Sequence, residues 1–174
     1  MRYILPMVAL SIFVFSVAAF IGTTPAIQAH YQRYDSVNGD CEIRYEEATQ
    51  YDSARREGER MWEALQGSND CVEIAPDNAN TSTDLKVKDV DKPDVTWAGY
   101  YTWWPIFTDR IRYNEHYMDD FSDCKKEFVA AHEWGHAQRL KHSLDENIMH
   151  EYILNQCELG EHDKEDYREY WGNQ

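Results

Sequence analysis

The stretch A130-AHEWGHAQRLKHSLDENIMHE-Y152 places three histidines within eleven positions and a glutamate directly after the first. On a helix, His132 and His136 lie four residues apart, about one turn above each other on one face, and are spaced to grip a single ion. Glu133 falls beside that pair and not within it. His142 is six residues beyond His136, which on a continuing helix means a rotation of about 600° and a rise of ~9 Å. It reaches the same ion only if the helix ends first. The run after Leu140, KHSLDEN, loses helical periodicity, which puts the exit near Arg139.

Upstream of this stretch, CEIRYEE reads as a strand, YDSARREGERMWEALQG as a helix with Ala54, Met61, Trp62 and Leu65 on one side, and CVEIAPD as a second strand. This is a βαβ unit, whose strands run parallel. TDLKVKDV, VTWAGYYTWW and RIRYNEHY follow as three further strand-like runs. A helix then starts at Ser122 or Asp123, either a competent N-cap, and runs through KKEFVAAHEWGHAQ. DKEDYREYWG closes the chain as a helix, with Gly172 just beyond its end. The aromatic run Trp97, Tyr100, Tyr101, Trp103 and Trp104 is read as core in preference to binding surface, with an edge strand through part of it as the other reading.

Residues 1–29 read as a signal peptide, an apolar run behind the single cation Arg2, with Ala29 suited to precede a cleavage site. Because the run from Tyr3 to Gly22 approaches the ~20 residues that span a bilayer, an uncleaved anchor is the other reading. Residues 30–174 read as one domain, secreted or extracytoplasmic. Arg2 is the only charge in the leader, so a formal net charge of -15 for the chain becomes -16 for the domain. That excess argues against nucleic acid or an anionic membrane surface as partner. A membrane is expected only if the anchor is retained.

Cys41, Cys71, Cys124 and Cys157 all fall in the domain, where export favours two disulfides over four thiols. Three connectivities exist in principle. Cys41 and Cys71 each open a strand of the parallel unit and so meet at one end of the sheet. That pairing is favoured, and it leaves Cys124 with Cys157.

HEWGHAQRLKH, followed by NIMHEY, resembles the zinc-binding and Met-turn segments of the metzincin metalloproteases, and within them the matrixin-type catalytic domain. It matches every fixed position of H-E-x-x-H-x-x-G-x-x-H except the glycine, replaced by Arg139. A left-handed residue with a Cβ costs about 1–2 kcal/mol there. The order of elements over residues 40–172 follows the same family. The resemblance implies an α/β (α+β) fold: a twisted five-stranded mixed sheet with one antiparallel edge strand, a zinc-binding helix, a Met-turn at Met149 and a C-terminal helix. It also implies Zn2+ held by His132, His136 and His142, with Glu133 as general base for a zinc-bound water. The expected function is that of a monomeric exported endopeptidase acting on protein or peptide substrate, with Tyr152 and its neighbours walling the substrate pocket. Two alternatives remain at this point. Glu158, Glu161 or Glu165 would complete the metal shell in place of His142, or the chain is a non-catalytic exported binding protein on the same scaffold. His116, His150 and His162 are read as non-ligands.

Overall fold

The computed structural model describes residues 30–67 and 71–172, so both readings of the leader lie outside the described residues. The βαβ unit consists of β1 (Glu42–Ala48), α1 (Asp52–Glu63) and β2 (Glu73–Pro76), with Glu42 opposite Glu73 in a parallel pair. β3 (Leu85–Val90), β4 (Gly99–Thr102) and β5 (Asp109–Asn114) complete a five-stranded sheet in the order β2-β1-β3-β5-β4. Every neighbouring pair is parallel except β4 with β5, which makes β4 an antiparallel edge.

Side-chain alternation decides which face is covered. Ile43 and Tyr45, Leu85 and Val87, and Ile111 and Tyr113 are buried at two-residue spacing on three adjacent strands. The helical layer over the sheet is built from α1 and α3 (Asp123–Ala137), with Trp134 of α3 meeting the Tyr45 ring edge-on at 5.3 Å between centroids. The two helices touch at backbone distance because α1 has glycine at position 58. A Cβ there would lie 2.6 Å from the Ala131 amide nitrogen. The Trp62 indole N–H donates to the Ala131 carbonyl at 2.8 Å, so the close approach leaves no buried donor wanting at that point. α3 starts as its sequence dictates, with the Ser122 side chain accepting from the Lys125 amide. α4 (Glu161–Trp171) closes the domain, capped on its far side by Gly172.

Two expectations need correction. RIRYNEHY does not remain a strand, because β5 stops at Asn114 and α2 (Glu115–Met118) forms a single turn. Asn114 is fully buried, and its side chain bonds with both backbone groups of Lys92 and with the Trp97 carbonyl, all within 3.0 Å. That side chain ties the incoming loop to the strand's end, where β3 also runs out at Val90. The aromatic run is core only in part. Tyr101 packs against the core, whereas Tyr100 and Trp104 are about half exposed, because β4 is the edge strand and has no sheet neighbour on its outer side.

The described residues contain two disulfides, Cys41–Cys71 and Cys124–Cys157, as favoured from the sequence. The first joins the starts of parallel β1 and β2; the second ties the start of α3 to the segment leading into α4. Two disulfides point to an oxidising location, and no helix among the described residues is long and apolar enough to cross a membrane. The bridges close loops separated by 30 and 33 residues, for which chain entropy gives about 3.5 kcal/mol each. Replacing both Cys124 and Cys157 by alanine is expected to lower unfolding free energy by about 2–4 kcal/mol in chemical denaturation. A loss below about 1 kcal/mol would contradict that role for the bridge.

Candidate metal centre

His132 and His136 stand on one face near the end of α3, and the exit from that helix brings His142 back to them. α3 ends at Ala137, and Arg139 adopts φ 78°, the left-handed conformation that turns the chain. The three imidazoles meet with ring centroids 4.6, 5.1 and 5.0 Å apart. They form a group that could hold a metal ion, in which none of Glu158, Glu161 and Glu165 takes part.

Backbone carbonyls set the orientation of the two helix histidines. His132 Nδ1 lies 2.8 Å from the Ile148 carbonyl and His136 Nδ1 lies 2.8 Å from the Leu140 carbonyl. A carbonyl only accepts, so each Nδ1 carries the proton and each Nε2 keeps its lone pair for an ion. Burial, followed by the neighbouring His136, holds His132 well below the usual histidine range. Burial takes His136 down to about 4 and lowers His142 as well. All three are therefore neutral at pH 7, as ligation requires.

Glu133 is buried beside this group at 4% exposure. Burial raises its carboxyl to about 8, against a hydrogen bond from the Tyr101 backbone. Its Oε2 is buried without a hydrogen-bond partner among the described residues. Room for the carboxylate comes from Gly99 of β4, where a Cβ would stand 2.6 Å from Glu133 Oε1. A cleft of about 910 Å3 runs over the site, lined by the three histidines, Glu133, the edge-strand residue Tyr100 and Tyr152.

The floor is held by Met149, which the sequence had singled out, and by Asp163, which sequence reasoning missed. Asp163, fully buried in the first turn of α4, accepts from the Ile148, Met149 and Gly160 amides at 2.6, 3.1 and 2.9 Å. It fixes the turn that presents the Ile148 carbonyl to His132. Met149 then packs against α3 where Gly135 leaves space, since a Cβ at 135 would overlap the Met149 sulfur. Gly160 caps the start of α4 and donates its amide to Asp163 three residues on, but Gly-x-x-Asp is not the Ser/Thr-x-x-Glu/Gln signature that would have marked Asp163 in the sequence.

Arg139 is tolerated in its left-handed conformation because its side chain is anchored. Its guanidinium pairs with Asp35 at 3.1 Å and lies over the Tyr170 ring at 4.8 Å. Arg139→Ala keeps the strain and loses the anchor, whereas Arg139→Gly loses both. The glycine variant is expected to be about 1–2 kcal/mol more stable than the alanine variant by thermal unfolding. Equal stabilities would show that the turn is unstrained. A second expectation concerns pH in the metal-free protein. A carboxyl raised by folding contributes stability that is fully present below the ordinary value of 4.5 and is lost as pH rises through about 8. Relative to Glu133→Gln, the parent should lose melting temperature steadily across that window and no further above it. A pH-independent difference would refute the assignment. Compared with known proteins, the chain matches no family model, and no curated protein matches it.

Proposed function

We propose that this chain is an exported zinc-dependent endopeptidase of metzincin type, with the matrixin-like pattern noted in its sequence. The observation that carries the reading is the convergence, in one cleft, of three neutral imidazoles and a buried carboxylate with a free oxygen. Three nitrogen donors, with no fourth protein ligand among the described residues, are the composition of a catalytic zinc site, whereas a structural site is usually closed by the protein. In this reading α3 is the zinc-binding helix and the 147–149 segment with Met149 is the Met-turn. When bound, zinc would supply a Lewis acid that polarises a carbonyl and acidifies water.

The chain's own residues account for the rest of the chemistry. His132, His136 and His142 hold the ion in neutral form, the first two oriented by the Ile148 and Leu140 carbonyls. Glu133 takes a proton from the attacking water and returns it to the leaving nitrogen; burial raises its carboxyl to about 8 in the metal-free protein, and the charge of a bound divalent ion would keep it ionised for that role. The outer edge of β4 offers backbone groups to an extended peptide, which would add as a further strand beside the cleft. Tyr152 and Ile153, 68% and 38% exposed, also line the cleft and would wall the substrate pocket. The two disulfides support an oxidising, extracytoplasmic setting.

Glu133→Gln separates this reading from a non-catalytic binding protein. The variant should retain its metal, measured by elemental analysis, while turnover of an unfolded protein such as casein falls by about 10²–10⁴-fold. Undiminished cleavage by the variant would exclude Glu133 as general base. Stoichiometric metal with no turnover by the parent would favour the binding protein.

A further inference from the structure

A second group of ligand-type side chains lies on α4, away from the cleft. His162 and Asp166 are four residues apart on that helix, the same spacing as His132 and His136 on α3, and His30 reaches them from the start of the described chain. His162 and Asp166 are almost fully buried, while the His30 side chain keeps 28% of its surface. The facing atoms are close. His30 Nδ1 is 3.0 Å from His162 Nε2, and each of these nitrogens is 3.6 Å from Asp166 Oδ2.

Those three separations define a ligand triangle. The equidistant point in the plane of the triangle lies about 2.0 Å from each corner, and an ion lifted slightly out of that plane stays within the ~2.0–2.2 Å that zinc makes to imidazole nitrogen and carboxylate oxygen. The environment also suits a cation. The carboxylate of Glu165 stands 3.7 Å from His162 Nδ1, on the side of the ring away from the triangle. At that distance it is no hydrogen-bond partner of the ring, but it adds negative charge beside the triangle. Without an ion, one proton bridges two imidazole nitrogens beside a buried carboxylate, and a divalent ion would replace that proton.

We propose that His30, His162 and Asp166 form a second binding site for a divalent transition-metal ion of the zinc class, distinct from the cleft. The site clamps the chain's first described segment onto the closing helix. The consequence reaches the first site through the backbone. The clamped segment runs beside the exit from α3: the Gln32 amide donates to the Arg139 carbonyl at 2.7 Å, the Lys141 amide to the His30 carbonyl at 2.9 Å, and the Ser36 amide to the Ala137 carbonyl at 2.8 Å. The Gln32 side chain donates to the His136 carbonyl. An ion on His30 therefore steadies the stretch that returns His142 to its partners.

The test is zinc stoichiometry on the purified, oxidised protein after equilibration with a small excess of zinc and gel filtration. The parent should hold two equivalents. His30→Ala, which removes a partly exposed side chain and keeps the backbone carbonyl, should hold one, and so should Asp166→Asn, which keeps the side chain's shape. His132→Ala should also hold one, having lost the other ion. Circular dichroism of the metal-free proteins checks that each variant is folded, and added zinc should raise the melting temperature less in His30→Ala than in the parent. Zinc content unchanged in both His30→Ala and Asp166→Asn would overturn the proposal and leave a proton-sharing contact. A parent holding one ion that His30→Ala loses and His132→Ala keeps would uphold this second site and sink the metal reading of the cleft.

Discussion

A straight helix cannot present His142 to an ion shared by His132 and His136, and much of the site follows from how the chain resolves that conflict. α3 has to stop within one residue of Ala137 and reverse. The reversal puts Arg139 in the left-handed region, and the same reversal turns the Leu140 carbonyl onto His136. One backbone event thus positions the third imidazole and fixes the tautomer of the second. The cost falls on a residue whose charge and flat guanidinium are held by Asp35 and Tyr170, so the strain is countered where it arises.

The first imidazole depends on a different support. His132 is oriented by the Ile148 carbonyl, and that carbonyl belongs to a turn whose amides are gathered by Asp163. A buried carboxylate is costly unless hydrogen bonds offset the lost water, and three amide donors to Asp163 offset part of that cost. α4 is therefore part of the site although none of its side chains faces the cleft. The sheet contributes through an omission, since β4 carries glycine at the point where Glu133 needs its volume.

What could be read from the sequence was whatever local spacing determines. The four-residue step between His132 and His136, the Ser122 cap, the alternation in β1, β3 and β5, and the cysteines opening two parallel strands all depend on neighbours along the chain. The reversal at Arg139 was legible for a related reason, because the spacing of His142 forbids the alternative. Features set by contacts across the fold were not legible. Asn114 ends a strand by bonding a loop 17 and 22 residues away. The aromatic run of residues 97–104 looks like core until the sheet order shows that β4 is an edge. His162 has an unremarkable surroundings in sequence, and its partner His30 lies 132 residues earlier.

The packing of Met149 against Gly135 has a chemical side as well as a steric one. Its thioether is 1% exposed and seated where α3 lacks even a β-carbon. Oxidation to the sulfoxide would add a polar oxygen to a space already filled, so peroxide gains access only when the floor beneath the histidines lifts away from the helix. The sulfur therefore acts as a built-in clock: the pace at which it oxidises reads out how often that part of the domain opens.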